Sequence, residues 1–495
     1  MLYCRMLLIM LVSLYTGRVT LKALGITDYG LYNVIAGSIV VFSFINNSLA
    51  TATTRFISFQ LGGKDITNIK NVFSTSIHIH LFISFVVLIL SELVGIWGVN
   101  NLLNIPADRL FACNIVFQIV VFSAITSILQ SPFGALIISN ERMNIYAYMG
   151  IVDAFCKLAI AVFITITTYD KLIVFSILQF IAAAGMFLFY YCYCKRKFSS
   201  IFCISRKSDY GLIKEMLTFS SWSLLGSTAI MLKNQGVNIL INIFFGPAIN
   251  AANGIAHQVN SAVFQFCSNF TTAINPQIIK GYAANDKKRM LNLVIKGGKF
   301  SFFLLMFLSI PIILETNYLL TLWLGEFPDY TITFTRLVLF LTLVECFNYS
   351  IGCAIQATGV IRTYQIVISG INLFVFPLSY ILYKMEAPPQ TALVVSISIS
   401  FFLLFVRLYF IRHLLGFSPL IFCKEVYGKS FLVLAVCLPV PYLVSTNLDE
   451  SLFRLFITTA TVFIVNLLVI YQIGLSIDER RFVVNTIRKR LHKKI

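Results

Sequence analysis

Arg18, Lys22 and Lys233 are cations set within long apolar runs, and Asp153, Lys157, His257 and Glu345 are titratable groups in similar surroundings. Ionisable side chains in such runs are costly to hold, so they face a cavity or a partner. Lys233, in the run KNQ near the middle of its segment, is too deep to reach an interface easily and is expected to face a cavity. Lys22 lies toward one end of its run and is expected to extend to the interface. Arg18 can do the same or line a cavity. Asp153 and Lys157 are spaced i, i+4 on one helix face, which fits an internal ion pair, or else a substrate or proton site. Glu345, beside Asn348, can pair with Lys233 across a cleft or titrate during a transport cycle. Asn46, Asn47, Gln258 and Asn260 add neutral polar groups, and Arg55 a cation at a segment end.

The chemistry this set can do is to hold an anion. The first and seventh apolar runs contain no Asp or Glu, whereas an exporter of cations would be expected to place carboxylates there. The phosphate-binding pattern GxxxxGK[ST] is missing, so the chain does not itself hydrolyse ATP. His78 and His80, two apart, point to different helix faces and make no convincing metal pair. Neither a cofactor nor a metal is expected. A membrane glycosyltransferase or polymerase would need a sizeable loop with clustered acids or histidines; the longest outer connection is only ETNYLLTLWLGEFPD. An enzyme is therefore not expected.

The elements that must position these residues are helices in a bilayer. The chain has 495 residues, of which 58% are hydrophobic and 12% charged, about half the charged share usual in soluble proteins. Apolar runs long enough to span a bilayer recur throughout, near residues 2–24, 30–54, 72–98, 109–138, 145–168, 172–194, 217–245, 251–275, 291–314, 330–357, 363–384, 391–413, 430–446 and 451–474, about fourteen in all. An all-α polytopic membrane protein follows, and the short alternating segments of a β-barrel are missing.

The net charge of +18 is topological rather than a nucleic-acid signal. Connections after the even-numbered runs carry the Lys and Arg residues, Arg55, Lys64 and Lys70 after the second and Lys195 to Lys197 after the sixth among them. Those between hold almost none beyond Lys171, Lys384 and Arg454. This alternation puts both termini in the cytoplasm. The tail brings Phe482, Val483, Ile487 and Leu491 to helical spacing among basic residues, so it either lies on the anionic inner leaflet or forms a disordered basic tail. The cysteines, eleven in number, read as small apolar residues, not as disulfides or metal ligands. The first run begins almost at Met1 and is read as a spanning helix rather than a cleaved signal, with a true start slightly upstream left open.

An internal repeat organises the runs. GITDYGLYNVIAGSIVVFSFINNSLATATTRFISFQLGGKD, from Gly25 to Asp65, and GPAINAANGIAHQVNSAVFQFCSNFTTAINPQIIKGYAAND, from Gly246 to Asp286, align without a gap at an offset of 221. Gly134/Gly352, Ile137/Ile355 and Tyr146/Tyr364 share an offset of 218. An even number of spans per repeat gives parallel repeats related by an axis along the membrane normal. The expected architecture is two parallel six-helix lobes around a central cleft, 1–200 and 217–414, joined by a basic linker at 201–216. Two further helices fill 415–475 and a basic tail 476–495.

With fourteen spans in this plan, the chain resembles the MOP (MATE-like) superfamily of exporters. The opening RMLLIMLVSLYTGRVTLKALGITDYGLYNVIAGSIVVFSFINNSLATATTRFISFQLG, with FGPAINAANGIAHQVNSAVFQF and CAIQATGVIRTYQ, is similar to Wzx-type polysaccharide and O-antigen flippases. The resemblance implies transfer of undecaprenyl-diphosphate-linked oligosaccharide to the outer leaflet of a bacterial cytoplasmic membrane, with cavity-lining cations meeting the diphosphate. Arg18 and Lys233, with Arg55 near the cytoplasmic mouth, are the positions that fit that role, and Asn46, Asn47, His257 and Asn260 fit contacts along the path. Asp153, Lys157 and Glu345 are candidates for ion coupling. Membrane lipids and the polysaccharide polymerase machinery are the implied partners, and nucleic acid is not one. The alternatives are a MATE-type drug or cation antiporter and a membrane glycan polymerase or transferase.

Overall fold

A computed structural model describes residues 2–63, 66–101, 105–202, 209–481 and 485, and the described elements are helices throughout. Among the described residues, ten helical stretches are long and apolar enough to cross a membrane. Two longer helices, α1 (Leu2–Gly63) and α7 (Tyr210–Ala283), each break into two arms. Counted with those four arms, the helices are roughly consistent with the fourteen spans expected. Large apolar side chains point outward along these helices, with Leu93, Phe111 and Ile166 at least 70% exposed. In water such a surface would aggregate; here it is what lipid tails cover.

The breaks fall at the two glycines that open the sequence repeat. Gly25 has φ 79, ψ 168 and Gly246 has φ 83, ψ 178. A side chain is strongly disfavoured at these angles, and glycine is not. The gaps between runs 2–24 and 30–54, and between 217–245 and 251–275, leave room for turns of several residues. One glycine in each case makes the corner instead, and helix resumes at once. The second arms also run on past their expected ends, to Gly63 rather than 54 and to Ala283 rather than 275. Arg55 is consequently inside a helix and not in a connection.

Two compact units are present: Met1–Thr228 with Asn275–Lys287, and Ala229–Ile274 with Lys288–Ile495. The first holds α1, α2 (Ile66–Leu90), α3 (Ile96–Asn101), α4 (Leu110–Ser139), α5 (Met143–Ile166) and α6 (Lys171–Lys197), along with both ends of α7. Its core gathers Ile35, Val116, Phe117 and Leu172, and beside it Leu24, Ile160, Ile164 and Phe175 pack where the Gly25 corner meets α5 and α6. A five-residue π turn, Ser91–Gly95, interrupts the helix between α2 and α3.

The second unit holds the middle of α7 and most of α8 (Lys287–Leu314), followed by α9 (Thr316–Leu324), α10 (Thr331–Glu345), α11 (Phe347–Thr358), α12 (Arg362–Leu373), α13 (Val375–Lys384) and α14 (Thr391–Leu415). Its core includes Val237, Ile241, Ala252, Phe334, Val338 and Val375. The trailing helices α15 (Pro419–Phe422), α16 (Lys429–Cys437), α17 (Pro439–Asn447) and α18 (Leu452–Val469) form the last two spans. They dock on α8, where Gly298 faces Val426 and Phe422 and Gly474 lies against the Phe303 ring. The nine cysteines whose side chains are described are all free thiols. The tail beyond Arg481 lies outside the described residues except for Asn485, as does most of the linker's basic stretch.

Candidate functional site

In the first unit, Tyr15, Arg18, Val19, Lys22 and Ala23 recur at intervals of three and four and so share one face of α1. That face, with Val162 and Thr165 of α5 and Lys171 at the start of α6, lines a cavity of about 650 Å3. Arg18, Lys22 and Lys171 bring three cations to it, and among the described residues no carboxylate lines it. Lys22, expected to reach for the interface, is exposed and lines the cavity beside Arg18. Lys171, which the sequence showed only as a lone charge in an outer connection, is brought in by the α5–α6 corner.

The nearby carboxylates are committed elsewhere. Asp170 caps α6, its Oδ1 accepting from the Leu172 and Ile173 amides at 3.0 and 3.2 Å. Its Oδ2 accepts from Arg109 Nη1 at 2.6 Å. Arg109, at the start of α4, also grips Asp28 with Nε at 2.9 Å and with Nη2. Asp28 lies three residues past the Gly25 corner.

The other candidates in this unit have mixed settings. Asn46 is half-buried and its Oδ1 is enclosed without a hydrogen-bond partner, whereas Asn47 is exposed. Arg55 is buried at 6% exposure, packed over the rings of Phe56, Phe59 and Phe219, with Glu215 at 3.9 Å. Asp153 and Lys157 pair at 2.8 Å on a partly exposed face of α5, the geometry of an i, i+4 ion pair. His80 is buried with Nδ1 2.7 Å from the Ser76 carbonyl, and no cluster of three metal-ligating side chains occurs among the described residues.

In the second unit, Lys233 of α7 is buried and its Nζ lies 3.3 Å from Glu345 Oε1 at the end of α10. The pairing anticipated from sequence is present, but it joins helices of one unit instead of spanning two. Ser400 of α14 donates to the same oxygen at 3.1 Å. Asn260 accepts from Thr342 at 2.6 Å, and Asn253 donates to Asn238 at 2.6 Å. His257 is half-buried on the same arm as Asn253 and Asn260. Arg407, buried in α14, donates through Nε to the Tyr364 hydroxyl at 3.2 Å, and its Nη1 has no hydrogen-bond partner. Sequence reasoning passed over Arg407 because it stands near a segment end, where a cation is ordinary; its burial is a tertiary fact.

Arg18, Asn46, Asn47, Arg55, Asp153 and Lys157 therefore belong to the first unit, and Lys233, His257, Asn260 and Glu345 to the second. The cavity and the Lys233–Glu345 network are two separate assemblies of polar groups.

No family model matches this sequence, and no curated protein matches it. Solved structures do. The outward-facing conformation of a multidrug resistance MATE family transporter of the MOP superfamily superposes with a TM-score of 0.73 at 11% identity, covering 84% of this chain and 94% of that one. A MATE protein in complex with MaL6 gives 0.69 at 11% identity, covering 84% and 96%. A MOP superfamily transporter from Pyrococcus furiosus Vc1, described as having a binding pocket of reversed polarity that suggests a different function, gives 0.65 at 11% identity, covering 84% and 94%. The chain has the fold of MATE transporters of the MOP superfamily. Its long apolar helices make it a multi-pass membrane protein.

Proposed function

We propose that this protein exports undecaprenyl-diphosphate-linked oligosaccharide across the bacterial cytoplasmic membrane, by alternating access, for O-antigen or capsule synthesis. The observation that carries the reading is the cavity bearing Arg18, Lys22 and Lys171, with no carboxylate among the described residues of its lining. A diphosphate is held by charge-assisted hydrogen bonds from such groups, while a cationic drug would meet like charge. The P. furiosus protein, described as having a pocket of reversed polarity that suggests a different function, is a precedent within the fold for such a change. The lipid tail stays in the bilayer, so the cavity need take only the diphosphate and the first sugars. Alternating loop charge supports both termini lying in the cytoplasm, where the polymerase machinery's substrates are made.

The decisive experiment is deletion of the gene. Lipid-linked repeat units should accumulate on the inner leaflet and surface glycan should fall. Normal glycan with reduced dye efflux would instead establish the drug-antiporter reading.

A further inference from the structure

The Arg109 cluster lies beside two walls of the cationic cavity. Asp28 follows the Gly25 corner, and the arm before that corner supplies Arg18 and Lys22. Asp170 immediately precedes Lys171 and fixes the first turn of α6. Arg109 holds both aspartates from α4, so one guanidinium ties the arm bearing two of the cavity's cations to the helix bearing the third.

We propose that Arg109 is a positioning residue for anion binding in this cavity, masking two carboxylates on the elements that bear its cations as well as holding the walls. This rests on the reading of the cavity as an anion site. One cation between two acids leaves the cluster with a single net negative charge. Without Arg109 that charge would double beside Arg18, Lys22 and Lys171, and the field offered to an arriving anion would weaken. Lys171 would also lose its fixed place, since its neighbour Asp170 would keep the amide bonds but not its lateral anchor.

A purely structural staple and a charge mask differ in their response to neutralising the acids. The full-length protein in nanodiscs is titrated with inorganic pyrophosphate at fixed pH and salt, with thermal unfolding followed in parallel. Arg109→Gln is expected to bind about three- to tenfold more weakly, the order of one nearby unscreened charge. Asp170→Asn can still cap α6, since Asn serves at that position as well as Asp. It is expected to bind pyrophosphate more tightly than the parent, and the D28N/D170N/R109Q triple variant should recover what R109Q loses. A structural staple would make both of these weaker or leave them unchanged, and either result overturns the proposal. Because D170N keeps the cap, it decides the question even if R109Q fails to fold. Parent protein that exports glycan yet does not bind pyrophosphate would instead sink the reading of the cavity; parent that binds it, with R109Q and D170N unaltered, would sink the role of Arg109 alone.

Discussion

Gly62 and Ala283 occupy equivalent places in the two repeats, 221 positions apart, and they touch. A Cβ built on Gly62 would lie 2.7 Å from the Ala283 Cβ and 2.6 Å from the Lys280 carbonyl oxygen. The end of α1 thus meets the end of α7 backbone to backbone. Around the contact, Lys280 pairs with Glu141 at 2.7 Å and the Phe59 ring meets Tyr282. Gly62→Val should push these helix ends apart and cost about 1–3 kcal/mol, as overpacking does, read as a lowered thermal midpoint. The Gly62→Cys, Ala283→Cys pair should form a disulfide under mild oxidation. If the ends must separate when the repeats rock, export should stop on oxidation and resume with reductant. Undiminished export by the oxidised protein would show that this contact stays closed throughout the cycle.

Buried Lys233 and half-buried Glu345 form a pair whose members depend on one another. Removing one partner strands the other, while removing both relieves the problem. Lys233→Met and Glu345→Gln should each lower stability, and the double variant should be more stable than additivity predicts, with a coupling of about 1–3 kcal/mol. Thermal unfolding of the four proteins in one detergent completes the cycle. Additive effects would mean that Ser400 and solvent, not Lys233, satisfy the carboxylate.

Several of these features were legible in the sequence, for reasons that can be stated. The offset that aligned Gly25 with Gly246 marked two corners that only glycine makes easily, and run lengths fixed the number of helices. Lys233 and Glu345 were visible because a charge inside an apolar run has few explanations. Helix ends were less legible. The turn residues GITDY looked like a loop, yet a single left-handed glycine lets helix resume, so Arg55 appeared in a connection when it is packed among Phe56, Phe59 and Phe219. Arg109 and Lys171 were hidden for the opposite reason. Each stands at a helix end, where charge is commonplace, and only the folding of α4 and α6 against α1 gives it company. Lys299 was likewise indistinguishable from the basic residues around it until its burial was known.

Lys299, at 1% exposure, receives Glu479 from beyond the last span at 2.6 Å. Burial alone would raise the Glu479 carboxyl, but donation from Lys299 and from the Ser476 amide outweighs it and holds the group below its ordinary value. A carboxylate depressed in the folded state stabilises fully above its unfolded value, about 4.3. That contribution disappears as pH falls through the lower folded value. Acidification below about pH 4 should therefore loosen the segment 475–481 before the bundle melts, seen as faster proteolysis or amide exchange there. Glu479→Gln should abolish that pH dependence and cost about 3–5 kcal/mol by stranding Lys299. The same acid response in the variant would assign the effect to another group.

The cavity cations make the sharpest demand on the proposed activity. Arg18, Lys22 and Lys171 reach one space from two helices, so none is expected to be needed for folding. Neutralising any one to Gln should leave the amount of protein in the membrane unchanged, since an exposed cation at a helix end contributes little to stability. Transport should respond differently. Loss of one charge-assisted contact to a diphosphate is expected to slow glycan export about tenfold, and the effects of two losses should compound. Arg18→Lys should retain the charge but lose the forked geometry, and so fall between the parent and Arg18→Gln. The measurement is surface glycan in a deletion strain complemented with each variant, with membrane protein quantified alongside. Parental export by the R18Q/K22Q/K171Q triple variant would remove this cavity from the path of the substrate.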